Sequence, residues 1–359
     1  MKVLQIIDSL EAGGAERMAV NIANVLTQEG HDSHLCVTRK EGLLQSAIAP
    51  EVAYLFLNKK GKIGWRAVFK LRSYIQQHQI EVVHAHSTSA YIAILALVFL
   101  KNPPKLIWHD HYGKADQLDQ RPYKIWKLIS VFFDQIISVN KLLKAWAEKE
   151  LKCKKVLYLE NFAVKVPTVR LLSPLGGTTG KRIVCLANLR EQKDHLHLLQ
   201  AFERLASEYD EWTLHLCGQD FQDAYSKEIQ HQIQKPALAS RVFLLGSRSD
   251  VTAVLNACDI GVLSSKSEGL PVALLEYGLC SLPVVVTDVG ACKEVVADCG
   301  LVVPPENSEL LAAALEELMS NRELRDRYAL QFHEHVLQHY GSDRYVERLL
   351  ELYNSYYLS

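Results

Sequence analysis

The sequence predicts an α/β protein with two doubly wound domains, each built on a parallel sheet. Short apolar runs bounded by turn residues alternate with helical patterns in the first half of the chain. The alternation restarts after residues 166–180, which carry two prolines and three glycines without periodicity. The 359 residues also suffice for about two domains of roughly 150 residues. Because strands that alternate with helices form parallel sheets, we expect domains at residues 1–165 and 181–340 joined by a linker at 166–180.

The first predicted domain begins with a buried strand over residues 1–8, a short apolar run that ends at turn residues. A helix opens at Gly13-Gly14, and Gly30 stands where a glycine often follows a helix. The longest apolar run, residues 90–100, is far shorter than the about 20 residues of a membrane span and predicts a buried helix or strand. Further strands are predicted at residues 35–38, 82–85, 106–108 and 135–139.

The second predicted domain repeats the pattern. A helix is expected at residues 195–207, and residues 326–358 are helical in pattern and rich in aromatic residues. Strands are predicted at residues 182–187, 213–217, 242–245, 260–264, 283–287 and 300–303.

Composition excludes some classes of protein. Apolar residues make up 48% and charged residues 23% of the chain, as in ordinary globular proteins. The net charge of −1 gives no overall basic field of the kind that nucleic-acid-binding proteins carry. Charge is nevertheless divided unevenly, because residues 1–165 hold 23 Lys and Arg against 15 Asp and Glu, and the rest hold 17 against 26. Basic and aromatic residues mix at 59–72 and 141–155, which indicates either contact with an anionic membrane or acceptor, or a solvated helix face.

The N-terminus and the cysteines indicate the cellular compartment of the protein. The first residues show no long apolar segment and no cleavage site of a secretory signal. The eight cysteines form no Cys-x-x-Cys pair, which predicts buried, reduced thiols. We therefore expect a cytoplasmic protein, with peripheral contact to the inner face of the cytoplasmic membrane as an open alternative.

The segment Ser264–Gly278 is the strongest candidate for a site. A strand leads into a serine-rich turn, then Gly269, then Pro271 at an expected first helical position. The start of a helix attracts anions through its backbone N–H groups and its dipole. Glu268 and Glu276 are eight positions apart, about 12 Å if all the spacing were helical, so they would grip two parts of a long ligand. The alternative is a capped helix with a surface glutamate.

A turn after the strand at residues 182–187 carries Arg190 and Lys193. Arginine as a fork and lysine as a point charge could together clamp a diphosphate. An ordinary surface pair is the alternative.

Two His-x-His units follow neighbouring predicted strands, His84 with His86 and His109 with His111. Alternation along a strand points both members of a unit to one side. A metal cluster is one interpretation, although no cysteine or carboxylate spacing completes a familiar metal site. Buried core histidines are the other.

The segment SEGLPVALLEYG, followed by PVVVTDVGACKEVV, resembles the signature of the family 4 glycosyltransferases of the GT-B fold. The segments GGAE, HAHS, ANLREQKD and DVTAVLNACDIGVLSS follow in that family's order, so the resemblance covers nearly the whole chain. It implies two Rossmann-like domains that face a cleft, the first for the acceptor and the second for a nucleotide sugar. A C-terminal helix at residues 341–359 would cross back to the first domain.

The resemblance also implies roles for single residues. Glu268 would contact the sugar of the donor and Glu276 its ribose. Lys193 and Arg190 would hold the diphosphate, although many relatives carry Gly-Arg where this chain has Ala187-Asn188. The implied catalytic residues are His111, Lys193 and Glu268, with His109 as the alternative histidine that faces the donor. The other implied donor contacts are Gly14, Arg248, Gly269, Leu270, Pro271 and Val272, and His84, His86 and His109 would line the acceptor side or support the site.

The function implied by the resemblance is hexosyl transfer with retention of anomeric configuration. The donor would be a UDP- or GDP-sugar and the acceptor a hydroxyl of a glycan or of a lipid-linked acceptor, in the synthesis of bacterial capsule, exopolysaccharide or lipopolysaccharide. No Asp-x-Asp motif is present, so we expect no metal and no cofactor, with the leaving diphosphate stabilised by cationic side chains and the helix start. A sugar-nucleotide 2-epimerase of the same fold and a non-catalytic partner subunit are the alternatives.

Overall fold

The computed structural model describes residues 1–98, 100–164 and 170–356. The chain forms two compact units, Met1–Phe162 together with the chain from Ser342 onward, and Ala163–Gly341. Of the predicted linker, residues 166–169 lie outside the described residues, and residues 170–180 contain no helix or strand.

The first unit is a doubly wound parallel sheet. Within the described residues it has seven strands in the order β3-β2-β1-β4-β5-β6-β7, and every pair is parallel. The strands are β1 Lys2–Ser9, β2 Asp32–Lys40, β3 Ala53–Phe56, β4 Val82–His86, β5 Lys105–Asp110, β6 Gln135–Ser138 and β7 Val156–Tyr158. The helices are α1 Gly14–Gln28, α2 Trp65–Gln77, α3 Ala90–Leu97, α4 Lys124–Ile129, α5 Lys141–Glu150 and α13 Ser342–Asn354.

Side chains that alternate along the strands build two cores on this sheet. Leu4 and Ile6 of β1 pack in a cluster with buried residues of α2, α3, α4 and α5. Ile7 packs in a second cluster with residues of α1. The helices that follow β1 and β3 therefore lie on opposite faces, as right-handed crossovers require when the chain reverses its direction across a sheet. The predicted glycine after α1 is confirmed, because Gly30 follows the helix with a φ of +78°.

The second unit has the same architecture. Among the described residues it has six parallel strands in the order β10-β9-β8-β11-β12-β13. These are β8 Arg182–Leu186, β9 Thr213–Cys217, β10 Val242–Gly246, β11 Ile260–Leu263, β12 Val284–Thr287 and β13 Leu301–Val303. The helices are α6 His195–Leu205, α7 Ala224–Ile233, α8 Val251–Asn256, α9 Val272–Leu279, α10 Cys292–Val296, α11 Ser308–Ser320 and α12 Arg322–Tyr340.

Three sequence expectations need correction. Strands β3 and β7 were not predicted. Pro271 is not the first helical residue but the extended residue before α9, which begins at Val272. The long C-terminal helical pattern is two helices, α12 and α13, separated at Gly341, and its predicted end at residue 358 lies outside the described residues.

Two further expectations concern membranes and thiols. The apolar run at residues 90–100 contains α3, and no helix in the described part of the chain has both the length and the apolar character to cross a membrane. All eight cysteines are free; six are buried, while Cys280 and Cys299 are partly exposed.

Candidate active site

The second sheet has its topological switch point between β8 and β11. From β8 the chain adds β9 and β10 on one side, and from β11 it adds β12 and β13 on the other. Open α/β sheets bind ligands beyond the carboxyl ends of the strands at such a point, because the helices there leave the sheet on opposite faces. The loops that follow β8 and β11 hold most of the predicted donor-binding residues, while Gly14 follows β1 and Arg248 follows β10.

Lys193 and Glu268, 75 positions apart in sequence, meet at this switch point. The Lys193 Nζ donates a hydrogen bond to Glu268 Oε1 at 2.5 Å, and Ser265 Oγ donates to the same oxygen at 2.6 Å. Only 3% of Glu268 is exposed, whereas Lys193 is partly exposed. The structure therefore builds a buried carboxylate with a cation at its open side.

Two further bonds tie these loops together. Ser264 Oγ donates to the carbonyl oxygen of Lys193 at 3.0 Å, and the Lys266 N–H donates to the carbonyl oxygen of Gln192 at 2.8 Å. The backbone at Lys193 is thus tied to the loop that carries the glutamate by one side-chain and one backbone hydrogen bond.

The loop after β12 braces the same backbone from the other side. The Ala291 N–H donates to the carbonyl oxygen of Gly269 at 3.0 Å. Gly290 has a φ of +55°, and a Cβ there would lie 2.3 Å from the Glu268 carbonyl oxygen. Only glycine allows this combination of backbone conformation and close approach.

Helix α9 is held on the sheet by Tyr277. Its hydroxyl accepts a hydrogen bond from the Leu186 N–H at 2.6 Å and donates one to the Val262 carbonyl oxygen at 3.1 Å. A Cβ at Gly261 would lie 2.8 Å from the Tyr277 ring, so the glycine makes room for it. The start of α9, where Gly269, Leu270, Pro271 and Val272 are buried, is therefore set rigidly at the ends of β8 and β11.

Glu276 lies on α9, is partly exposed, and lines a cavity of about 300 Å³ within the second unit. The cavity runs between α8 and α9, with Val251 and Leu255 on one side and Cys280 and His333 among the other lining residues. His333 Nδ1 donates to the Gly278 carbonyl oxygen at 2.8 Å, which orients that ring.

In the first unit the two His-x-His units form one cluster. The residues of β4 and β5 pair in register, with His86 opposite His109. The His84 and His86 rings stack with their centroids 4.7 Å apart, which confirms that they point to one side. His84 Nε2 lies 3.1 Å from His109 Nδ1, and His86 Nδ1 lies 3.0 Å from His111 Nε2, both within hydrogen-bond distance.

The cluster is closed by two more polar side chains. His84 Nδ1 lies 2.7 Å from the Tyr353 hydroxyl of α13, and His86 Nε2 lies 2.9 Å from Gln5 Oε1. Burial lowers the pKa of His84 to about 3 and places the pKa values of His86 and His109 well below 6.5. The buried rings are therefore neutral at pH 7.

His111 differs from the other three histidines because it is partly exposed, in the loop after β5. That loop is anchored by Asp110 and Arg121, whose two hydrogen bonds measure 2.7 and 2.8 Å and whose side chains are buried. The guanidinium also lies 4.0 Å from the centre of the Trp146 ring. The chain thus holds a partly exposed histidine, whose pKa burial lowers to about 3, next to a buried ion pair.

Comparisons with known proteins identify the family of this chain. The model of "Glycosyltransferase Family 4" matches residues 12–161, and that of "Glycosyl transferases group 1" matches residues 175–331. This chain belongs to the family 4 glycosyltransferases.

Relatives and a solved structure extend the match. The amylovoran biosynthesis glycosyltransferase AmsD of Erwinia amylovora is 22% identical over 345 residues, 91% of this chain and 93% of that protein. The N,N'-diacetylbacillosaminyl-diphospho-undecaprenol alpha-1,3-N-acetylgalactosaminyltransferase of Campylobacter jejuni is 34% identical over 130 residues, 34% of each chain. The structure of Anabaena Alr3699/HepE in complex with UDP and glucose superposes with a TM-score of 0.81 at 20% identity, covering 99% of this chain and 100% of that one. The glycosyltransferase thus has the GT-B fold.

The two predicted arginines of the second unit lie in different surroundings. Arg190 is exposed, and its guanidinium lies 4.6 Å from the centre of the Phe221 ring. Arg248 is nearly buried, bonds both oxygens of Asp250 at 2.7 and 2.6 Å, and donates to Ser173 Oγ at 2.7 Å. These bonds lower the pKa of Asp250 and give Arg248 a structural role, so its contact with the donor stays a prediction.

Gly14 is the exposed first residue of α1, directly after β1. It stands at the switch point of the first sheet, between β1 and β4. The Glu16 side chain folds back over Gly13. Ser9 Oγ donates a hydrogen bond to Glu16 Oε1 at 3.1 Å, and a Cβ at Gly13 would lie 2.3 Å from Glu16 Oε2. A role for Gly14 in donor binding stays a prediction.

The metal interpretation of the histidines can be stated in distances. His84, His86 and His109 each offer one nitrogen, and these three atoms lie within 4.8 Å of one another. Most nitrogens of the cluster, however, already lie within hydrogen-bond distance of a partner. Among the ring nitrogens of these three histidines, the buried His109 Nε2 has no hydrogen-bond partner within the described part of the chain. The expectation that this glycosyltransferase needs no metal stays a prediction.

Sequence reasoning missed several residues that build the site. Ser265 donates a hydrogen bond to Glu268, and Gly290 leaves room for the Glu268 backbone. Arg121 pairs with Asp110 in the loop of His111, and the Tyr353 hydroxyl contacts His84. The serine-rich turn before Glu268 and the glycine after β12 were visible signals for the first two. Nothing local in the sequence marks Arg121 or Tyr353, because each acts on a residue of another element.

Proposed function

We propose that this glycosyltransferase transfers a hexosyl group from a UDP- or GDP-sugar to a hydroxyl of a lipid-linked glycan, with retention of anomeric configuration. The observation that carries the proposal is the Lys193–Glu268 pair at the switch point of the second sheet. A nucleotide sugar offers a diphosphate for the cation and sugar hydroxyls for the carboxylate, which are the two chemistries this pair can bind.

The geometry supports an exchange of partners when the donor binds. Lys193 is the partly exposed member of the pair, so its ammonium can turn from the carboxylate to a phosphate. Glu268 would keep the hydrogen bond from Ser265 and accept a second one from a sugar hydroxyl in place of the lysine. The buried carboxylate thereby stays hydrogen-bonded in both states, as buried charges require.

We propose that the enzyme accelerates sugar transfer by stabilising the charge that develops on the leaving group. Negative charge develops on the diphosphate as the glycosidic bond breaks. Lys193, Arg190 and the start of α9 would supply fixed positive charge and N–H dipoles there, which is electrostatic preorganisation. In this proposal the protein's own cations replace a metal ion. The departing phosphate oxygen takes the acceptor proton on the same face of the sugar, which accounts for retention without a paired nucleophilic carboxylate.

The acceptor class rests on relatives and on charge. The name of the Campylobacter relative places its acceptor on diphospho-undecaprenol, and that of the Erwinia relative places it in the synthesis of amylovoran. An excess of basic residues in the first 165 positions suits an acceptor that carries a diphosphate. We therefore propose a role in bacterial surface polysaccharide synthesis, with the first unit binding the acceptor.

Calorimetric titration with UDP and GDP, with magnesium or with EDTA, tests the donor class. We expect one nucleotide to bind saturably in both conditions. Lys193→Ala should weaken that binding at least tenfold, since a charge-assisted hydrogen bond contributes about 1.5–3 kcal/mol. Lys235→Ala is the matched control, because Lys235 pairs with Glu203 on the surface of the same unit. Equal loss in both variants would contradict the assignment of Lys193.

Transfer assays test the remaining roles. Glu268→Gln and His111→Asn should keep nucleotide binding and lower the rate of sugar transfer. The anomeric configuration of the product, read by NMR, tests retention directly. Conversion of the donor sugar without any acceptor would identify a 2-epimerase instead, and failure to bind either nucleotide would favour a non-catalytic partner.

A further inference from the structure

A row of hydrogen bonds joins a strand of the first sheet to the partly exposed histidine of the cluster. The His86 Nε2 lies 2.9 Å from Gln5 Oε1, and the His86 Nδ1 lies 3.0 Å from the His111 Nε2. Gln5 and His86 are fully buried, whereas His111 is partly exposed. We call these three side chains the Gln5 network.

Gln5 is held in the interior of the sheet. It lies on β1, which pairs with β2 on one side and places Gln5 in register with His84 of β4 on the other. Leu4 and Ile6, its neighbours along β1, pack into the apolar cluster on one face of the sheet. Because side chains alternate along a strand, Gln5 points to the opposite face, where it meets His86.

The proton positions in the Gln5 network follow from its first member. Burial places the pKa of His86 well below 6.5 and lowers that of His111 to about 3, so both rings are neutral and each carries one N–H and one lone pair. A carbonyl oxygen can only accept, so the His86 Nε2 carries the proton that Gln5 Oε1 receives. The lone pair of His86 is then on Nδ1, and its partner, the His111 Nε2, must donate. This leaves the lone pair of His111 on Nδ1.

The other two histidines of the cluster lack such a fixed direction. The His84 Nδ1 lies 2.7 Å from the Tyr353 hydroxyl, and the His84 Nε2 lies 3.1 Å from the His109 Nδ1. A hydroxyl can donate or accept, so these two rings keep the same contacts in either tautomer. The fixed proton is therefore a property of the Gln5 network.

Stability does not account for a glutamine at this position of β1. A buried amide loses its hydration, whereas an apolar side chain of similar size would gain free energy from the same burial. What the glutamine adds is the carbonyl oxygen that faces His86. We therefore look for its role in the histidine that the network reaches.

We propose that Gln5 is a positioning residue for sugar transfer, which acts through His86 to hold His111 with its proton on Nε2. The His111 Nδ1 then accepts a hydrogen bond and cannot donate one. The group of the transferred sugar that faces it must therefore donate, as a hydroxyl or an acetamido N–H does and a carboxylate does not. The inference rests on the proposed function in one respect, the contact of His111 with the transferred sugar. It goes further by assigning the proton and by naming the residue that sets it.

Nitrogen-15 NMR of the full chain, labelled at histidine, reads the tautomer without any ligand. Two-bond correlations between ring protons and ring nitrogens distinguish a protonated from an unprotonated nitrogen at neutral pH. The resonances of His111 are those that disappear in His111→Asn. We expect them to show a protonated Nε2 and an unprotonated Nδ1.

Gln5→Met removes the carbonyl oxygen and keeps the approximate length of the side chain. The His111 resonances should then move to the averaged positions of two exchanging tautomers. Affinity for UDP and GDP should stay the same, whereas the ratio of affinity for UDP-glucose over UDP, or GDP-mannose over GDP, should fall about threefold to tenfold, the factor of one neutral hydrogen bond. Tyr353→Phe is the matched control, because it removes a buried polar contact of the same cluster outside the Gln5 network. It should leave the His111 resonances in place.

The wild-type spectrum decides the proposal even if Gln5→Met does not fold. A His111 ring protonated on Nδ1 would show that Gln5 turns its amide NH₂ group to His86, and it would overturn the proposal. An equal change of the His111 resonances in Tyr353→Phe would overturn it as well, because the tautomer would then depend on the packing of the cluster. Nucleotide binding with the opposite tautomer refutes this inference alone. The expected tautomer in a chain that binds neither UDP nor GDP refutes the proposed function and supports the assignment of the proton.

Discussion

Replacing Gly290 by alanine tests how tightly the backbone of the candidate site is built. The added Cβ would lie 2.3 Å from the Glu268 carbonyl oxygen and 2.8 Å from that of Gly269. Ordinary contact begins at 3.4 Å, so one of the two loops must move by about 1 Å. Because Glu268 and the start of α9 follow this backbone, the change reaches the predicted donor site without altering any of its side chains.

Two costs add at this position. A left-handed φ of +55° costs an alanine about 1 kcal/mol. Overpacking against backbone costs about 1–3 kcal/mol more. We therefore expect Gly290→Ala to lower the free energy of unfolding by about 2–4 kcal/mol. A displacement of about 1 Å at a catalytic group also lowers the rate about a hundredfold, so the transfer rate should fall further than nucleotide affinity does.

Gly180→Ala is the control for the first of these costs. Gly180 has a φ of +89°, but no atom lies within 4 Å of a Cβ placed there. This variant should lose about 1 kcal/mol of stability and keep its transfer rate. Urea unfolding and initial rates of sugar transfer are measured on both proteins. If the two variants lose the same stability and the same activity, the close approach at Gly290 does not position Glu268 and the reasoning is refuted.

Three further predictions concern the first unit. Arg121→Met leaves the buried Asp110 carboxylate unpaired and should lower the free energy of unfolding, measured in urea, by about 3–5 kcal/mol. The double variant Asp110→Asn/Arg121→Met should restore much of that loss. An equal loss in the single and the double variant would argue against the ion pair. Burial lowers the pKa of His84 to about 3, so the unfolded chain takes up its proton first and stability should fall as pH drops from about 6.5, by about 2 kcal/mol for this residue at pH 5. His84→Asn should flatten that dependence, and an unchanged slope would contradict it. Tyr353→Phe removes the hydroxyl that lies 2.7 Å from His84 and should cost about 1–3 kcal/mol in thermal unfolding without weakening UDP binding, which tests whether the cluster is separate from the nucleotide site.

The interior strands of both sheets could be predicted from the sequence because they are buried on both faces. Such strands form continuous apolar runs, as residues 183–187 and 284–286 do. Strands β3 and β7 escaped prediction because they are the two edges of the first sheet, have four and three residues, and are largely half-exposed. Their sequences, AYLF and VLY, are apolar but so short that no periodicity marks them as strands.

The candidate site was predictable as a set of residues but not as a geometry. The helix start after β11 and the cationic turn after β8 were visible as local patterns. That Lys193 bonds Glu268 depends on β8 lying next to β11, and local sequence does not give strand order. The same limit hides the contact of Tyr353 with His84, which joins residues 269 positions apart.

The buried histidines show that the two faces of one strand serve different purposes. Val83 and Ala85 of β4 point into the apolar core with α2 and α3. His84 and His86 point to the other face, where desolvation keeps them neutral at an energetic cost. Valine at these positions would avoid that cost, so stability alone does not account for them. The network that satisfies them ends at His111, the partly exposed member of the cluster. The cluster is therefore best understood as a rigid polar support that fixes the partly exposed His111, and α13 belongs to that support through Tyr353.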